Sequence, residues 1–303
     1  MSDAAAPAIF DRRLLTRRRG RAAARGSGPD FLLDRVAEDL LERLSLINRR
    51  FCIAVDLGAH HGLLGRRLRR LDGIGMVVET DLSPPMLALC QGPRVLADEE
   101  LLPFRSGSLD LVVSALTLQL VNDLPGTLIQ IRRALKPDGL LLAAMLGGDT
   151  LTELRQSFLA AEVEIEGGAS PRVAPFADVR DLGSLLQRAG FALPVADSEI
   201  VRVGYASPLE VMREIKAMGA SNMLISRRRT PMRRATLARA CEIYAERFGR
   251  ADGRVTATFE ILTMTGWVPH ESQQQPLRPG SAKARLADAL GVEEHSAGEK
   301  AAE

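Results

Sequence analysis

Cysteine and histidine are scarce in this chain of 303 residues. Its three cysteines, Cys52, Cys90 and Cys241, lie far apart and form no CxxC pair, and none of the four histidines is spaced as HxxxH. These absences argue against a disulfide framework, a zinc cage and a metal enzyme. We therefore expect no metal site and a reduced, cytoplasmic protein.

Long apolar runs and aromatic residues are scarce as well. The most apolar stretch, 139–146, has the length of a strand, whereas a helix that spans a bilayer needs about 20 residues, so we expect no integral membrane segment. Aromatic residues make up 4% of the chain, and the two arginine-rich clusters, at 12–25 and 227–234, contain none. Nucleic-acid surfaces combine basic with stacking aromatic side chains, so we expect no nucleic-acid partner. An acidic partner surface or a solvated face is the expected role of the clusters.

Apolar residues, by contrast, make up 46% of the chain, which excludes a wholly disordered protein. The composition divides the chain into a basic arm (1–29), a domain (30–270) and a polar tail (271–303). The arm is rich in arginine and poor in acid, like a mitochondrial transit peptide. However, it runs through Gly-Ser-Gly-Pro (26–29) directly into an amphipathic helix that Asp30 can cap, so we expect it to belong to the working protein.

From residue 51 onward, apolar strands alternate with helices. We expect strands at 51–57, 75–80, 94–97, 109–114, 140–146, 198–205 and 255–267. This alternation predicts an α/β fold in which helices cover both faces of a parallel sheet. Two helices within 207–248 lie between the last two strands, and we interpret them as an inserted lid or a static cover near the carboxyl ends of the strands. The tail is expected to hold one short helix near 281–290.

The loop after the first strand, 56–62, is rich in glycine. Gly58, Gly62 and Gly65 do not have the GxGxxG spacing with which dinucleotide folds hold a pyrophosphate. Instead, Asp56 stands two residues before the first glycine. A carboxylate at that place suits a ligand that bears an ammonium and a sulfonium group rather than phosphates, which is typical of S-adenosylmethionine.

Further acidic residues follow the next two strands. Asp81 ends the second strand, where a carboxylate can accept both hydroxyls of a ribose, and Asp98 and Glu99 follow the third, where an acid can take the adenine amino group. Ligands of open parallel sheets bind at the carboxyl ends of the strands, so these side chains are expected to meet. The predicted cofactor-binding residues are Asp56, Gly58, Ala59, Gly62, Asp81, Leu82, Asp98, Glu99 and Ser114.

Several segments carry a resemblance to a known family. They are residues 10–14, 109–125, 131–139, 145–155, 218–222 and 267–273. On these segments and the acidic pattern above, the chain resembles the class I S-adenosylmethionine-dependent methyltransferase superfamily (methyltransferase type 11), in the branch that contains the malonyl-carrier-protein methyltransferase of biotin synthesis. Within that branch it is most similar to the methyltransferases that assist assembly of respiratory complex I.

The resemblance has consequences for fold and function. It implies a Rossmann-like fold with a mostly parallel seven-stranded sheet and an antiparallel last strand, S-adenosylmethionine as cofactor, and methyl transfer to a protein subunit of complex I. Eukaryotic members of this branch have been linked to arginine hydroxylation, so the alternative is an assembly factor that hydroxylates or chaperones such a subunit. A third reading is a non-catalytic binding module.

The chain departs from the family pattern in two places. His60 stands where relatives carry the middle glycine of the loop, and Gln119 and Leu120 stand where relatives often carry histidine or an aromatic residue. We interpret His60 as a tolerated loop residue rather than a catalytic base, and His270 with Glu271 as a polar cap rather than an acid–base pair. No catalytic residue is assigned, because methyl transfer needs little from the protein beyond positioning and removal of a proton.

Overall fold

A seven-stranded sheet forms the centre of the molecule. The computed structural model describes residues 8–26, 30–274, 288 and 291–292. The strands are β1 (Phe51–Leu57), β2 (Ile74–Asp81), β3 (Arg94–Leu96), β4 (Leu109–Ala115), β5 (Leu135–Leu146), β6 (Ala192–Tyr205) and β7 (Val255–Trp267). They lie in the order β3-β2-β1-β4-β5-β7-β6, and β7 runs antiparallel to both of its neighbours. This arrangement confirms the predicted Rossmann-like fold with its mostly parallel sheet and antiparallel last strand.

Helices cover both faces of the sheet. They are α1 (Arg12–Ala23), α2 (Phe31–Ser45), α3 (Leu63–Leu68), α4 (Pro84–Leu87), α5 (Leu124–Ala134), α6 (Thr152–Glu166), α7 (Val179–Arg188), α8 (Pro208–Ala217) and α9 (Arg234–Phe248). Apolar residues of α2, α6 and α9 pack on one face, and those of α5 and α7 pack on the other. Strand residues alternate between these two cores: Leu111 and Val113 of β4 belong to the first, and Val112 belongs to the second. Burial on both faces explains why the central strands are continuously apolar.

Two strands begin earlier than the sequence indicates. β5 starts at Leu135, which pairs with Leu109, so the expected turn before residue 140 is part of the strand. β6 starts at Ala192, and its pairing with β7 shifts register between Ala192 and Val195. The additional pairing comes from neighbouring strands, which no local pattern reveals. The helix expected near 281–290 lies outside the described residues except for position 288.

The basic arm folds together with the sheet. Its described part, 8–26, contains α1 and belongs to the same compact unit as the strands, Met1–Pro269. An isolated antiparallel bridge joins Phe10 to Leu224, in the segment after α8. A second unit, which starts at His270, overlaps the expected polar tail. Among the residues described, no helix has the length and apolar character required to cross a membrane.

Candidate active site

Asp81, at the end of β2, is held by the main chain at the carboxyl edge of the sheet. Its side chain is fully buried. The backbone N–H of His60 donates to Oδ2 over 3.1 Å, and the N–H of Ser83 donates to Oδ1 over 2.7 Å. These two bonds fix the carboxylate beside the loop that follows β1.

Arginines of α1 pair with the predicted cofactor carboxylates. Arg19 is buried, donates to Asp81 Oδ2 over 2.9 Å and lies 3.6 Å from Glu99 Oε1. Arg12 donates to Asp98 over 2.6 Å and also binds Glu99. Burial raises the pKa of Glu99, while Arg19 and Arg12 act against that rise. The structure thus brings together Asp81, Asp98 and Glu99 as predicted, and it adds α1, which the sequence did not place here.

Asp56, on β1, does not line either of the two cavities described below. The backbone N–H of Gly65 is a donor to its carboxyl group, and Oδ2 has no hydrogen-bond partner within the described part of the chain. Burial, followed by the neighbouring charge of Glu79, raises the pKa of Asp56 to about 8. A carboxyl group with this pKa is protonated at neutral pH. Contact of Asp56 with the cofactor stays a prediction.

The loop glycines are required by close packing. Gly58 and Gly62 have positive φ angles of 74° and 78°. A Cβ atom on Gly58 would lie 2.4 Å from the side chain of Thr117, and one on Gly62 would lie 2.6 Å from Glu79 Oε1. Ala59, between them, is buried in a small apolar cluster. The loop consequently has no space for larger residues at its two glycines.

His60 occupies the middle glycine position with a φ of 51°. Its Nε2 lies 3.1 Å from the carbonyl oxygen of Ala115 and 3.2 Å from Thr117 Oγ1. Burial, followed by the charge of Arg19, lowers the pKa of His60 to about 3. The imidazole is therefore neutral and weakly basic at neutral pH, which supports its interpretation as a loop residue rather than a general base.

The remaining two predicted cofactor residues differ in their surroundings. Leu82, with Asp98, lines a small cavity of 260 Å³ beside α1. Ser114 is buried, and its hydroxyl donates to the carbonyl oxygen of Leu57 over 2.7 Å. Ser114 thus joins β4 to β1.

A larger cavity of 430 Å³ opens at the same edge of the sheet. Its wall includes α1, α2, α6 and α8, the loops after β1, β4 and β5, and the segment after α8. The lining includes the apolar residues Leu116, Leu154, Phe158, Met212, Met218 and Met223, and the polar residues Asp30, His61 and Gln119. None of the nine predicted cofactor-binding residues, all of which the structure describes, lines it. This wall therefore contains functional candidates that the sequence missed.

The most prominent of these candidates is a pair formed by Asp30 and His61. Asp30 precedes α2 but its side chain makes no cap hydrogen bond, contrary to the sequence expectation. Instead, Asp30 Oδ2 lies 2.8 Å from His61 Nε2. A histidine in the glycine loop was the sign of this pair that the sequence offered. Its partner, Asp30, lies 31 residues away in sequence, so local spacing did not reveal the contact.

The basic turn after α8 is tied to the rest of the chain. Arg227 binds Asp11 over 3.2 Å, and Arg228 binds Glu166. Arg229 is exposed. Two of these three adjacent arginines of the 227–234 cluster therefore hold the turn against the arm and α6.

Comparisons with known sequences identify a family for this chain. A family model described as "Methyltransferase domain" matches residues 55–143. The mitochondrial arginine-hydroxylase NDUFAF5 of Homo sapiens is 42% identical over 282 residues, which cover 90% of this chain and 81% of that protein. The malonyl-[acyl-carrier protein] O-methyltransferase of Halorhodospira halophila is 38% identical over 266 residues, which cover 85% of this chain and 88% of that protein.

Solved structures share the fold at much lower sequence identity. The YcgJ protein of Bacillus subtilis has a TM-score of 0.54 at 12% identity, over 77% of this chain and 99% of that chain. A candidate methyltransferase from Bacillus halodurans has a TM-score of 0.53 at 15% identity, over 77% of this chain and 100% of that chain. Together with the sequence relatives, they confirm the resemblance. The chain belongs to the class I S-adenosylmethionine-dependent methyltransferase family, in the branch that includes NDUFAF5 and the malonyl-[acyl-carrier protein] O-methyltransferases.

Proposed function

We propose that this protein binds S-adenosylmethionine at the carboxyl ends of β1, β2 and β3 and methylates a protein subunit during assembly of respiratory complex I. The observation that carries the proposal is the buried carboxylate of Asp81, which two backbone N–H groups hold in place. A carboxylate fixed at the end of the second strand is suited to accept both hydroxyls of a ribose. The link to complex I follows from the resemblance to methyltransferases that assist assembly of this complex, and NDUFAF5, of the same branch, is 42% identical over 282 residues.

The hydrogen-bond acceptors at this edge fit the cofactor. Asp81 provides an acceptor for a diol, and Glu99 Oε1 is buried without a hydrogen-bond partner among the described residues, so it can accept the N–H of an adenine amino group. Arg19 lies against Asp81 in this structure. A ribose that binds Asp81 must therefore displace the guanidinium or share the carboxylate with it.

The chain contributes binding, orientation and exclusion of water. When bound, the cofactor supplies an electrophilic methyl group. The 430 Å³ cavity next to His60 offers a largely apolar space for the side chain of the client, by which we mean the protein subunit that is modified. Such a space favours transfer because it holds the acceptor in one place and removes competing water.

Hydroxylation of an arginine side chain is the second candidate. The names of the NDUFAF5 relatives favour it, since each is called an arginine-hydroxylase. A third candidate, a binding module without activity, predicts that the client is bound but not changed. Mass spectrometry of the client separates the three, because the product carries a methyl group, an oxygen atom or neither.

The compartment is a separate proposal. The named NDUFAF5 relatives are mitochondrial proteins. We infer a cytoplasmic location for this chain, because Cys52, Cys90 and Cys241 are all free cysteines. Fractionation of the source cells, with immunodetection of the protein, tests this location.

The proposed function is tested in two steps on the full chain. Calorimetry with S-adenosylhomocysteine measures cofactor binding, and complex I subunits from cells with and without the protein are then compared by mass spectrometry. The proposal expects binding and a methyl group that depends on the protein. Absence of cofactor binding contradicts it, and an added oxygen atom selects hydroxylation instead.

A further inference from the structure

The arginines of the arm divide between two sides of α1. On one side, Arg12 and Arg19 bind carboxylates, and Arg18 donates to the carbonyl oxygen of Asn222. On the other side, every fourth residue is an exposed arginine, three of them in α1 and one just after its end. We call this row the arginine face; its members are Arg13, Arg17, Arg21 and Arg25.

The arginine face lacks counterions among the described residues. None of its four side chains forms an ion pair there, and residues 12–29 contain no aspartate or glutamate. Asp11, which precedes the row, already accepts from the N–H of Leu14 over 2.9 Å and from Arg227 over 3.2 Å. On α9, by contrast, Arg239 contacts three glutamates. Like charges four residues apart repel one another on a helix, so a partner of opposite charge is favoured on this row.

The second arginine-rich cluster, 227–234, adds positive charge beside α1. Arg227 binds Asp11, the residue that caps the helix. Burial, followed by the charges of Arg227 and Arg21, lowers the pKa of Arg18, which reflects repulsion of Arg18 by both residues. Two clusters that are far apart in sequence thus contribute to one positive region around α1.

The arginine face lies beside the 430 Å³ cavity. Ala22, Ala23 and Gly26, which are sequence neighbours of Arg21 and Arg25, line that cavity. A macromolecule that binds the face therefore lies next to the space that the proposed function assigns to the client side chain. This position favours the client itself as the partner.

Carboxylates are the groups that fit the face. A guanidinium group binds a carboxylate through two parallel hydrogen bonds. Successive arginines of the face are four residues apart, which is about 6 Å along a helix, and alternate residues of an extended chain are a similar distance apart, about 6.6 Å. An extended segment with an acidic residue at every second position can therefore follow the row.

Two other anionic partners fit less well. Residues 12–25 contain no aromatic side chain on which nucleic-acid bases could stack. The exposed positions within 12–26 are the four arginines, Ala24 and Gly26. A helix that lies on a membrane inserts large apolar side chains, and these exposed positions carry none. An acidic protein segment is thus favoured over nucleic acid and over a lipid surface.

We propose that the arginine face docks an acidic segment of the client and so brings the modified side chain of the client to the 430 Å³ cavity. The proposal rests on the proposed function, because it takes the client as the partner. It gives α1 a second role besides its contacts with Asp81 and Glu99, which is recognition of a part of the client outside the modified residue.

The first test measures binding of an acidic peptide to the full-length protein. The probe is a fluorescently labelled peptide of about ten residues in which glutamate alternates with serine, and the matched control peptide carries glutamine in place of glutamate. Fluorescence anisotropy at low salt measures both affinities. We expect the glutamate peptide to bind at least tenfold more tightly, and we expect this difference to disappear at about 1 M salt, where the Debye length is about 3 Å. Equal affinities at low salt overturn the proposal.

A triple variant then locates the surface. Arg17→Gln/Arg21→Gln/Arg25→Gln leaves Arg13 unchanged, because Arg13 also lines the 260 Å³ cavity. We expect it to weaken binding of the glutamate peptide about tenfold, through the summed loss of three exposed ion pairs, and to leave S-adenosylhomocysteine affinity within about twofold. Thermal unfolding verifies that the variant folds. If it does not fold, Arg25→Gln, beyond the end of α1, is tested alone and must weaken the peptide about twofold.

The matched control variant is Arg105→Gln/Arg180→Gln/Arg188→Gln. It removes the same charge from three exposed arginines outside the arm that form no ion pair within the described ranges. We expect this variant to bind the glutamate peptide like the wild type. Equal weakening by the two triple variants would show that net charge alone attracts the peptide, and the proposal would then be wrong.

Two further measurements separate this proposal from its alternatives and from the proposed function. If the wild type binds vesicles of phosphatidylglycerol and phosphatidylcholine but not the peptide, the face belongs to a lipid surface and the proposal is overturned. In cells that express the variant of the arginine face, mass spectrometry of complex I subunits shortly after induction should show several-fold less modification. Unchanged modification overturns the proposal and leaves the proposed function intact. Absence of S-adenosylhomocysteine binding to the wild type contradicts the proposed function, whatever the peptide does.

Discussion

At the scale of single residues, cofactor affinity is expected to depend on Asp81. We predict that Asp81→Ala weakens binding of S-adenosylhomocysteine by about 1.5–3 kcal/mol, because charged hydrogen bonds to the ribose are lost. Calorimetry measures the change, and thermal unfolding verifies that the variant folds. Asp197→Ala is the matched control, since Asp197 pairs with Arg43 through its carboxylate on β6. Unchanged affinity in a folded Asp81→Ala protein would remove Asp81 from the site.

Asp56 is expected to make the stability of the protein depend on pH. Burial and Glu79 raise its pKa from 3.8 to about 8 in the folded state. The folded state thus retains a proton that the unfolded state releases, so the stabilisation is fully present below the unfolded pKa and is lost as the pH rises through the folded value. Asp56→Asn removes this titration. Urea unfolding between about pH 5 and pH 8 should show a larger loss of stability in the wild type than in Asp56→Asn, and parallel curves would contradict this.

The acidic residues of the site could be predicted from the sequence, but the His61–Asp30 pair could not. Asp81 ends β2 and Asp98 and Glu99 follow β3, and the carboxyl ends of parallel strands meet at one edge of a sheet. The contact between His61 and Asp30 depends on how α2 lies against the loop, which local spacing does not encode.

At the scale of elements, α1 is expected to compete with the cofactor. Arg19 forms a buried ion pair with Asp81. A ribose that binds Asp81 must therefore displace the guanidinium group or share the carboxylate with it. We predict that Arg19→Gln raises S-adenosylhomocysteine affinity about three- to tenfold and, because Asp81 loses its partner, lowers the stability of the cofactor-free protein by about 3–5 kcal/mol. Arg17→Gln, at an exposed position of the same helix, is the control. Weaker cofactor binding in Arg19→Gln would instead make Arg19 a cofactor ligand.

We expect one arginine of the turn after α8 to stabilise the folded protein. Arg228 binds Glu166, a mostly buried carboxylate, whereas Arg229 is exposed. We predict that Arg228→Ala destabilises the protein by about 1–3 kcal/mol, because Glu166 loses a charged partner. Arg229→Ala should change stability by less than about 0.5 kcal/mol. Urea unfolding compares them, and equal stability of the two variants would mean that the Glu166 contact contributes nothing.

At the scale of the whole molecule, the sheet could be predicted because its central strands are continuously apolar and alternate with helices. The position of the arm could not, because it follows from pairing of Arg12 and Arg19 with carboxylates about 60 to 90 residues away. Arginine-rich segments look alike in sequence whether they are solvated or buried. The carboxylates at the strand ends, together with the bridge between Phe10 and Leu224, give this segment its place in the fold.

Cofactor binding is expected to stabilise the unit Met1–Pro269 as a whole, since the arm, the sheet and the segment after α8 form one compact unit. At a cofactor concentration of about 100 times Kd, linkage adds about 2.7 kcal/mol, which raises Tm by about 5–10 °C for a domain of this size. Trp267, the single tryptophan, lies in β7 beside Arg49 and reports on the sheet by fluorescence, while circular dichroism reports on the helices. Both signals should change at the same temperature, with and without cofactor, and Asp81→Ala should reduce the shift to about half or less. Separate transitions would show that the helices and the sheet unfold independently, and an unshifted wild type would contradict cofactor binding.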